Sequence, residues 1–523
     1  MSRSTNAVKN IIVGIGGQLS TYLIRFITRT LFIYTLGIKY LGVQGLLTNV
    51  LGILNIAELG VASAVAYTLY KPLSEKDEDK IYVIMQFYKK AYTIIGLTIL
   101  TVGLAFLPAL PYIMKDATDI VNINIVYVLY LVETAASYLF FSYKRTILTA
   151  DQKKYLVDGV RTTTSMVTAI IKAIVLIIAV NLIEPSLAFV IYLLLGCVGQ
   201  LYINFTISKK ADNLYPYINE KRNAKMNKTE KREMFKKIFG MSIYRINTTI
   251  VKSTDGIIIS GILGIVANGI YSNYYFITCN VYNIVRMLFS SITASVGNLI
   301  TKETTEKSEL VFRCLGQISY WIFGFCGVCM FVLIEPFILL WAGEWYSLGK
   351  ITSYVFALEF LMQGYQVVSL TYKDAGGLFW YGKYRPMVTA VLNIVISLLL
   401  VNKCGVAGVV LGTIISRLLT TWWFEPILVY KKTFKMPVFR YFVKYIMAVL
   451  IVAVSVVLIE FASSFYTGNA FVSFVIKMVL CVIVPNIIFF VAYRKTEEFC
   501  YTIRMVKGLL DGITKSIKRK VRK

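Results

Sequence analysis

Along the chain, apolar stretches of about 20 residues or more alternate with short polar breaks. That is the length a helix needs to cross roughly 30 Å of hydrocarbon at 1.5 Å per residue. The predicted spans are 12–36, 43–68, 91–114, 121–143, 162–181, 186–208, 239–263, 269–300, 314–338, 351–372, 387–402, 406–430, 441–462 and 470–493. The pattern predicts an all-α polytopic membrane protein with about 14 transmembrane helices, arranged as two six-helix lobes plus two C-terminal helices. The first stretch is too long, and too interrupted by Arg, to be a cleaved signal peptide.

Within several spans the polar residues recur at helical spacing. Gln18, Thr21, Arg25, Thr28 and Arg29 share one stripe, as do Gln44, Thr48, Asn55 and Glu58. Arg161, Ser165, Thr168 and Lys172 form another, followed by Ser242, Arg245, Thr248, Thr249, Lys252 and Asp255. Asn283, Arg286, Ser290 and Thr293 make a further stripe, and Glu359, Gln363 and Gln366 the last. Arg25, Arg29, Lys172, Lys252, Arg286 and Arg417 fall near mid-span. A charge at bilayer mid-depth costs about 2.5–3.5 kcal/mol on insertion scales, so these bases are expected to line a wet, positive cavity rather than face lipid. Asp255, Glu58, Glu133 and Glu359 are available to neutralise some of them, Asp255 standing one turn from Lys252. An excess of positive charge survives full pairing, and it suits an anionic cargo.

Composition agrees: the chain is 57% hydrophobic with a formal net charge of +27, and its mean hydropathy is +0.67. Most of its 55 Lys and Arg lie in the termini and the even-numbered loops, the rest inside spans or, as Lys39, Lys115, Lys350 and Lys403, in odd-numbered loops. The positive-inside rule therefore places both termini in the cytoplasm. The same distribution accounts for the basic pI without a nucleic-acid partner. Histidine is absent, which removes imidazole bases, ligands and proton relays. The eight cysteines include Cys326 and Cys329, whose place inside an apolar helix argues for packing rather than zinc. No catalytic residue and no metal site is expected.

The longest break, 209–238, carries ten basic residues and divides the chain as transporters built by parallel repetition are divided. The expected organisation is a six-helix lobe over 1–208, a basic cytoplasmic loop over 209–238 and a second six-helix lobe over 239–430. Two extra spans occupy 431–493 and a basic amphipathic cytoplasmic tail 494–523. Internal similarity supports a repeat: Leu36-Gly37-Ile38 with Gly42 matches Leu263-Gly264-Ile265 with Gly269, 227 residues on. Gly405, Gly408 and Gly412 favour close helix approach, and Pro485 is the main candidate for a kink. In the tail, Phe499, Ile503, Val506, Leu510, Ile513, Ile517 and Val521 oppose a basic face suited to anionic inner-leaflet lipids.

Several segments resemble a known family. They are Leu41-Gly-Val-Gln-Gly45, Phe141-Ser-Tyr-Lys-Arg-Thr-Ile-Leu-Thr-Ala-Asp-Gln-Lys153, Thr254-Asp255 with Gly264 and Tyr271, and Pro336-Phe-Ile-Leu-Leu-Trp-Ala-Gly-Glu-Trp-Tyr346. Gly382-Lys-Tyr-Arg385 and Gly405-Val-Ala-Gly-Val-Val-Leu-Gly-Thr-Ile-Ile-Ser416 complete the set. Together they are similar to Wzx-type polysaccharide flippases of the multidrug/oligosaccharidyl-lipid/polysaccharide exporter (MOP) superfamily. The resemblance implies a bacterial inner-membrane flippase. It would carry an undecaprenyl-pyrophosphate-linked oligosaccharide from the inner to the outer leaflet by alternating access, beside a polysaccharide polymerase. It also implies that cationic cavity residues of the first lobe, here Arg25 and Arg29, meet the cargo.

Guanidinium groups bind phosphate oxygens in pairs and Lys supplies a point charge. On that reading Arg25, Arg29, Lys172, Lys252 and Arg286 contact pyrophosphate and acidic sugars, while Gln18, Asn55, Asn283, Gln363 and Gln366 bond sugar hydroxyls. Asp255 and Glu58 are candidates either for Na⁺ or H⁺ coupling or for charge balance. A cation-coupled multidrug antiporter of the same superfamily is the alternative, set back by the excess of bases over acids in the spans. A membrane glycan polymerase or ligase is weaker still, because the outer connection near Trp341–Lys350 carries only Glu344 and no His.

Overall fold

The computed structural model describes residues 3–58, 61–113, 122–220, 222, 226–378, 381–382 and 384–504. Side chains are described at all of these except 3–15, 56–57, 63, 112–113, 180–181, 228, 236–237, 239–252 and 294. All regular structure among the described residues is helical, as a bilayer demands of a backbone that must satisfy its own polar groups. Nine helices among these residues are long and apolar enough to cross a membrane, ten when one pair bent by 52° counts as a single span. The protein is a polytopic helical membrane protein. The helices divide into two compact units.

The first unit comprises Met1–Ser272 and Asn393–Val409. Its helices are α1 (Arg3–Thr35), α2 (Gly37–Leu54), α3 (Val61–Glu75), α4 (Glu78–Phe106), α5 (Leu110–Ile113) and α6 (Ile123–Leu139). They continue with α7 (Arg145–Ala150), α8 (Lys154–Leu182), α9 (Pro185–Leu214), α10 (Lys228–Leu263) and the start of α11 (Ile265–Ser291). α1 packs along α8, α8 along α9, α4 along α6, and α10 against α2 and α3. Two predicted spans are not straight. The second is interrupted by a 3₁₀ turn over Asn55–Glu58. The fourth ends where Phe141, at φ 61, turns the chain by 52° into the segment that carries α7.

The internal repeat proves to be a contact. Gly37 and Gly264 both stand at positive φ, +82° and +90°, where each opens the helix that follows it. The two helices then cross at their first turns. A Cβ on Gly42 would lie 2.1 Å from the Ile265 carbonyl oxygen, and one on Gly269 would lie 2.6 Å from that of Ile38. Asn268 donates to the Gly42 carbonyl at 3.1 Å. Residue 38 therefore meets 269 as 265 meets 42, so the sequence match marks a pseudo-twofold crossing that only a side chain as small as hydrogen permits.

The second unit comprises Asn273–Leu392 and Val410–Lys523. It holds the rest of α11, α12 (Thr293–Lys302), α13 (Thr305–Trp341), α14 (Lys350–Tyr365) and α15 (Val367–Ala375). α16 (Arg385–Thr420), whose Asn393–Val409 belongs to the first unit, α17 (Phe424–Val429), α18 (Phe439–Ser464) and α19 (Ala470–Tyr493) follow. Within α16 Gly405 adopts φ 57, ψ −138, so two helices meet there, as the predicted spans 387–402 and 406–430 require. α13 is the central post, with α14, α18 and α19 against it. Phe312 meets Tyr372, Tyr430 and Phe434 edge-on at 4.9, 5.5 and 5.4 Å. The last two spans thus pack on α13 within this unit, and α19 continues through Pro485. The tail begins docked: Gln317 donates to the Thr496 hydroxyl at 2.9 Å, and buried Glu498 binds Arg313 and Lys444. Residues 505–523, most of the expected amphipathic tail, lie outside the described residues.

Candidate substrate site

In the first unit one aromatic ring carries one of the expected cations and lies in the electrostatic field of two more. The Lys172 ammonium on α8 stands 4.0 Å above the ring of Tyr192 on α9. Arg25 and Arg29 on α1 lie within electrostatic reach of the same side chain. Phe32, one turn beyond Arg29, meets the Tyr192 ring edge-on at 5.3 Å. A cation over a ring face is held without a counter-charge. Arg29 also donates to the Ser272 hydroxyl at 2.6 Å, which fixes it against the start of α11. Arg25 is exposed, as is Gln18 two turns before it on the same face of α1.

Glu133 on α6 approaches this group from the other side. A Cβ on Gly196 of α9 would lie 3.0 Å from the Lys172 nitrogen and 3.2 Å from a Glu133 oxygen, so both charged groups lie close beside this glycine. No salt bridge closes between them, and the ammonium favours the ring instead.

Glu58 belongs to a second cluster. It accepts from Tyr92 at 2.5 Å and from Tyr138 at 2.8 Å, and Arg145 of α7 stands 3.8 Å away. Tyr138 also donates to Asn55 at 3.1 Å. Asn55 and Glu58 thus share a partner at the 3₁₀ turn that interrupts the second span. Arg161 lies within electrostatic reach of both Arg145 and Arg25, joining this cluster to the one around Tyr192.

The remaining expected residues are spread more widely. Asp255 is buried at 7% exposure, with the Asn393 amide 3.5 Å from its carboxylate. The Lys252 side chain lies outside the described residues. In the second unit Arg417 donates to Glu359 at 2.7 Å. Gln363, its amide oxygen turned to the same guanidinium, accepts from Arg417 at 3.0 and 3.1 Å. Gln363 therefore serves an ion pair in this structure, with Glu359 taking the neutralising role foreseen for it. Arg286 is exposed and shares electrostatic contact with Tyr282 alongside Arg417 and Glu359. Asn283 donates to the Cys279 sulfur on its own helix at 3.4 Å, and Gln366 is buried.

Sequence reasoning missed Tyr192 and Arg145. One tyrosine among 36 carries no local signature, and Arg145 reads as a loop residue until the bend at Phe141 returns it to Glu58. Among the described residues no group of acids and cysteines is arranged to hold a metal.

No family model matches the chain, and no curated protein matches it in sequence. Solved structures do match in fold. Lipid II flippase MurJ in an inward closed conformation aligns with a TM-score of 0.65 at 15% identity, covering 92% of this chain and 98% of that one. An inward-facing multidrug resistance MATE family transporter of the MOP superfamily aligns at 0.59 and 14%, over 77% and 95%. A mutant form of the Vibrio cholerae MATE transporter VcmN aligns at 0.57 and 12%, over 83% and 99%. At such identities the likeness establishes the fold, which is that of the MOP transporters.

Proposed function

We propose that this protein is a flippase for an undecaprenyl-pyrophosphate-linked oligosaccharide, moved from the inner to the outer leaflet by alternating access. The observation that carries the reading is Lys172 over the Tyr192 ring, with Arg25 and Arg29 in electrostatic reach of the same side chain. Three cations with an aromatic face suit a pyrophosphate followed by a sugar: the bases take the phosphate oxygens and the ring stacks on the sugar. The drug-antiporter alternative needs an acidic site for organic cations. Here Glu58 is engaged by two tyrosines beside Arg145, and Glu359 is closed on Arg417. Glu58 then balances charge, which leaves Asp255, buried beside the Asn393 amide, as the candidate for Na⁺ or H⁺ coupling. The host is a bacterial cytoplasmic membrane with both termini inside, and a polysaccharide polymerase is the natural downstream partner.

The test replaces Arg25 or Lys172 by Ala and measures flipping of lipid-linked oligosaccharide in cells at matched membrane expression. Each variant is expected to lose at least about tenfold in flux, as removal of one charge-assisted phosphate contact worth about 1.5–3 kcal/mol implies. Undiminished flux in both variants refutes the cationic-site assignment.

A further inference from the structure

Gly382-Lys-Tyr-Arg385 takes no part in the cargo site, and it opens a stretch of unusual charge. Between Ala375 and Ile459 the chain carries one acid, Glu425, against many bases. Two of these bases, Arg417 and Lys444, close on Glu359 and Glu498. Lys431, Lys432, Lys435 and Arg440 are exposed and form no ion pair among the described residues.

Two turns of the second unit bring part of this charge together. Tyr430 and Phe434 are buried against Phe312, and the single π turn that joins them leaves Lys431 and Lys432 exposed. Turns of this kind occur frequently at functional sites. Lys432 rests 4.4 Å over the ring of Tyr381. The next residue, Gly382, at φ +80°, carries the chain over Phe424, where a Cβ would lie 2.9 Å from the ring. The Arg385 N–H donates to the Gly382 carbonyl at 3.1 Å, and its guanidinium lies 4.3 Å over the same Phe424 ring. Glu425 binds one nitrogen of that guanidinium, Nη2. Nε and Nη1 are buried without an acceptor, and Glu425 Oε2 makes no bond to them. Buried donors left empty are costly, so this edge of the fork calls for an acceptor.

We propose that these two turns hold the headgroup of an anionic phospholipid. Its phosphate oxygens accept from Arg385 Nε and Nη1, a pairing that the planar guanidinium favours. Lys431 and Lys432 balance the remaining charge. The Arg385 side chain is 14% exposed, and a rotation of it presents the free edge to a headgroup at the surface. Glu425 keeps Nη2 throughout, so no buried carboxylate is stranded. What surrounds the bases selects a lipid over a free anion. Met387, Val388 and Val391 on α16 are exposed from the first turn after Arg385, as are Leu419 and Trp423 near its other end. Thr389 and Thr420 join these two ends through a hydroxyl pair at 2.8 Å, so acyl chains find apolar surface beside the headgroup. Bases with Tyr and Trp at the boundary of an apolar face are the pattern of a membrane–water interface. Juxtamembrane Lys and Arg of this density draw anionic lipid. The site does not depend on the nature of the cargo; on the topology proposed above it lies in the cytoplasmic leaflet.

The experiment uses the purified full-length protein in detergent, stripped of lipid, with dioleoylphosphatidylglycerol, dioleoylphosphatidylcholine or inorganic phosphate added. Native mass spectrometry counts the retained lipid, and the melting midpoint without lipid reports the fold. Wild type is expected to retain phosphatidylglycerol at least about tenfold better than phosphatidylcholine. Lys431→Gln/Lys432→Gln removes two exposed bases; it should keep the wild-type midpoint and lose about tenfold or more in phosphatidylglycerol retention at low salt. Arg385→Lys keeps a charge for Glu425 but not the planar fork, and should lose at least about threefold. Should Arg385→Lys fail to fold, the double Lys variant carries the test. Lys518→Gln/Arg519→Gln in the tail removes the same charge elsewhere and should retain lipid as wild type does. A wild type that does not prefer phosphatidylglycerol, or wild-type retention in either folded variant, overturns the proposal. So does an equal loss in the tail variant, which would show general attraction to net charge. Inorganic phosphate that raises the midpoint as much as phosphatidylglycerol does overturns the lipid as the source of the phosphate.

Discussion

The crossing of α2 and α11 makes a demanding prediction, because the structure ranks two chemically identical substitutions. Adding a methyl group at Gly42 places carbon 2.1 Å from the Ile265 carbonyl oxygen and 2.9 Å from its carbon; adding one at Gly269 places it 2.6 Å from the Ile38 oxygen. Even weakly bonded C···O contacts settle at about 3.3–3.6 Å. The helices must therefore part by somewhat more than about 1 Å at Gly42, and by somewhat less than about 1 Å at Gly269. The obstacle in both cases is backbone, which cannot swing aside as a side chain does. Overpacking of this kind costs about 1–3 kcal/mol, and the movement also stretches the bond from Asn268 to the Gly42 carbonyl, 3.1 Å as it stands. Gly42→Ala should then lower the thermal unfolding midpoint of the purified protein more than Gly269→Ala does. The double variant should cost less than the two separately, since one parting of the helices relieves both clashes. Static light scattering during heating, or loss of native-state fluorescence, follows the midpoint. A Gly42→Ala protein as stable as wild type, or fully additive losses, would refute the crossing as the origin of the repeated motif.

Two further substitutions probe buried charge in the second unit. Glu425 is 1% exposed and holds both Lys373, at 3.0 Å, and Arg385; Glu425→Gln strands two cations and should cost about 3–5 kcal/mol, read as a lower unfolding midpoint and a poor yield of monodisperse protein. A wild-type midpoint would contradict the assignment. At the start of the tail, burial opposes the charge of Glu498. Hydrogen bonds from Lys444 and the backbone, with the fields of Lys444 and Arg313, outweigh it and hold the carboxyl below its ordinary value. A carboxyl lowered in the folded state stabilises it above the unfolded value, and that stability is lost as pH falls through the folded value. Melting midpoints should therefore drop on acidification in wild type and less steeply in Glu498→Gln; parallel acid limbs would refute the argument.

The helical spans were legible because hydrocarbon leaves a chain little choice, and a run of about 20 apolar residues has few other uses. The repeat was legible for a related reason: Gly37, Gly42, Gly264 and Gly269 are demanded by backbone approach and positive φ, which sequence records directly. The break over Asn55–Glu58 was not, since apolar composition continues on either side of it and the turn is held by Tyr92 and Tyr138 from distant helices. Of the expected site residues, Lys172 stands over Tyr192 and Arg25 and Arg29 lie in electrostatic reach of that ring, and helical periodicity had placed each on a polar face. What periodicity lacks is the relation between faces of different helices. Glu133 and Glu359 both read as acids able to neutralise a base, yet one closes on Arg417 and the other makes no salt bridge with Lys172. That difference depends on Gly196 and Tyr192, residues with no charge pattern to betray them.

On the proposed flippase reading, the pairing of the bases bears on where an anionic cargo would be recognised. In the second unit the buried bases are largely spoken for: Arg417 by Glu359, Lys373 and Arg385 by Glu425, Arg313 by Glu309 and Glu498. Breaking such pairs to bind a cargo would leave a buried carboxylate uncompensated, and the cost of that approaches what a phosphate contact returns. In the first unit Lys172 rests on an aromatic face, and Arg29 donates to a hydroxyl. The ring carries no charge that would be orphaned when its cation turns to a phosphate. An anion can therefore replace these contacts with charge-assisted ones at small loss. On the proposed flippase reading, the cation resting on the Tyr192 ring is therefore the one best placed to turn to an anionic cargo.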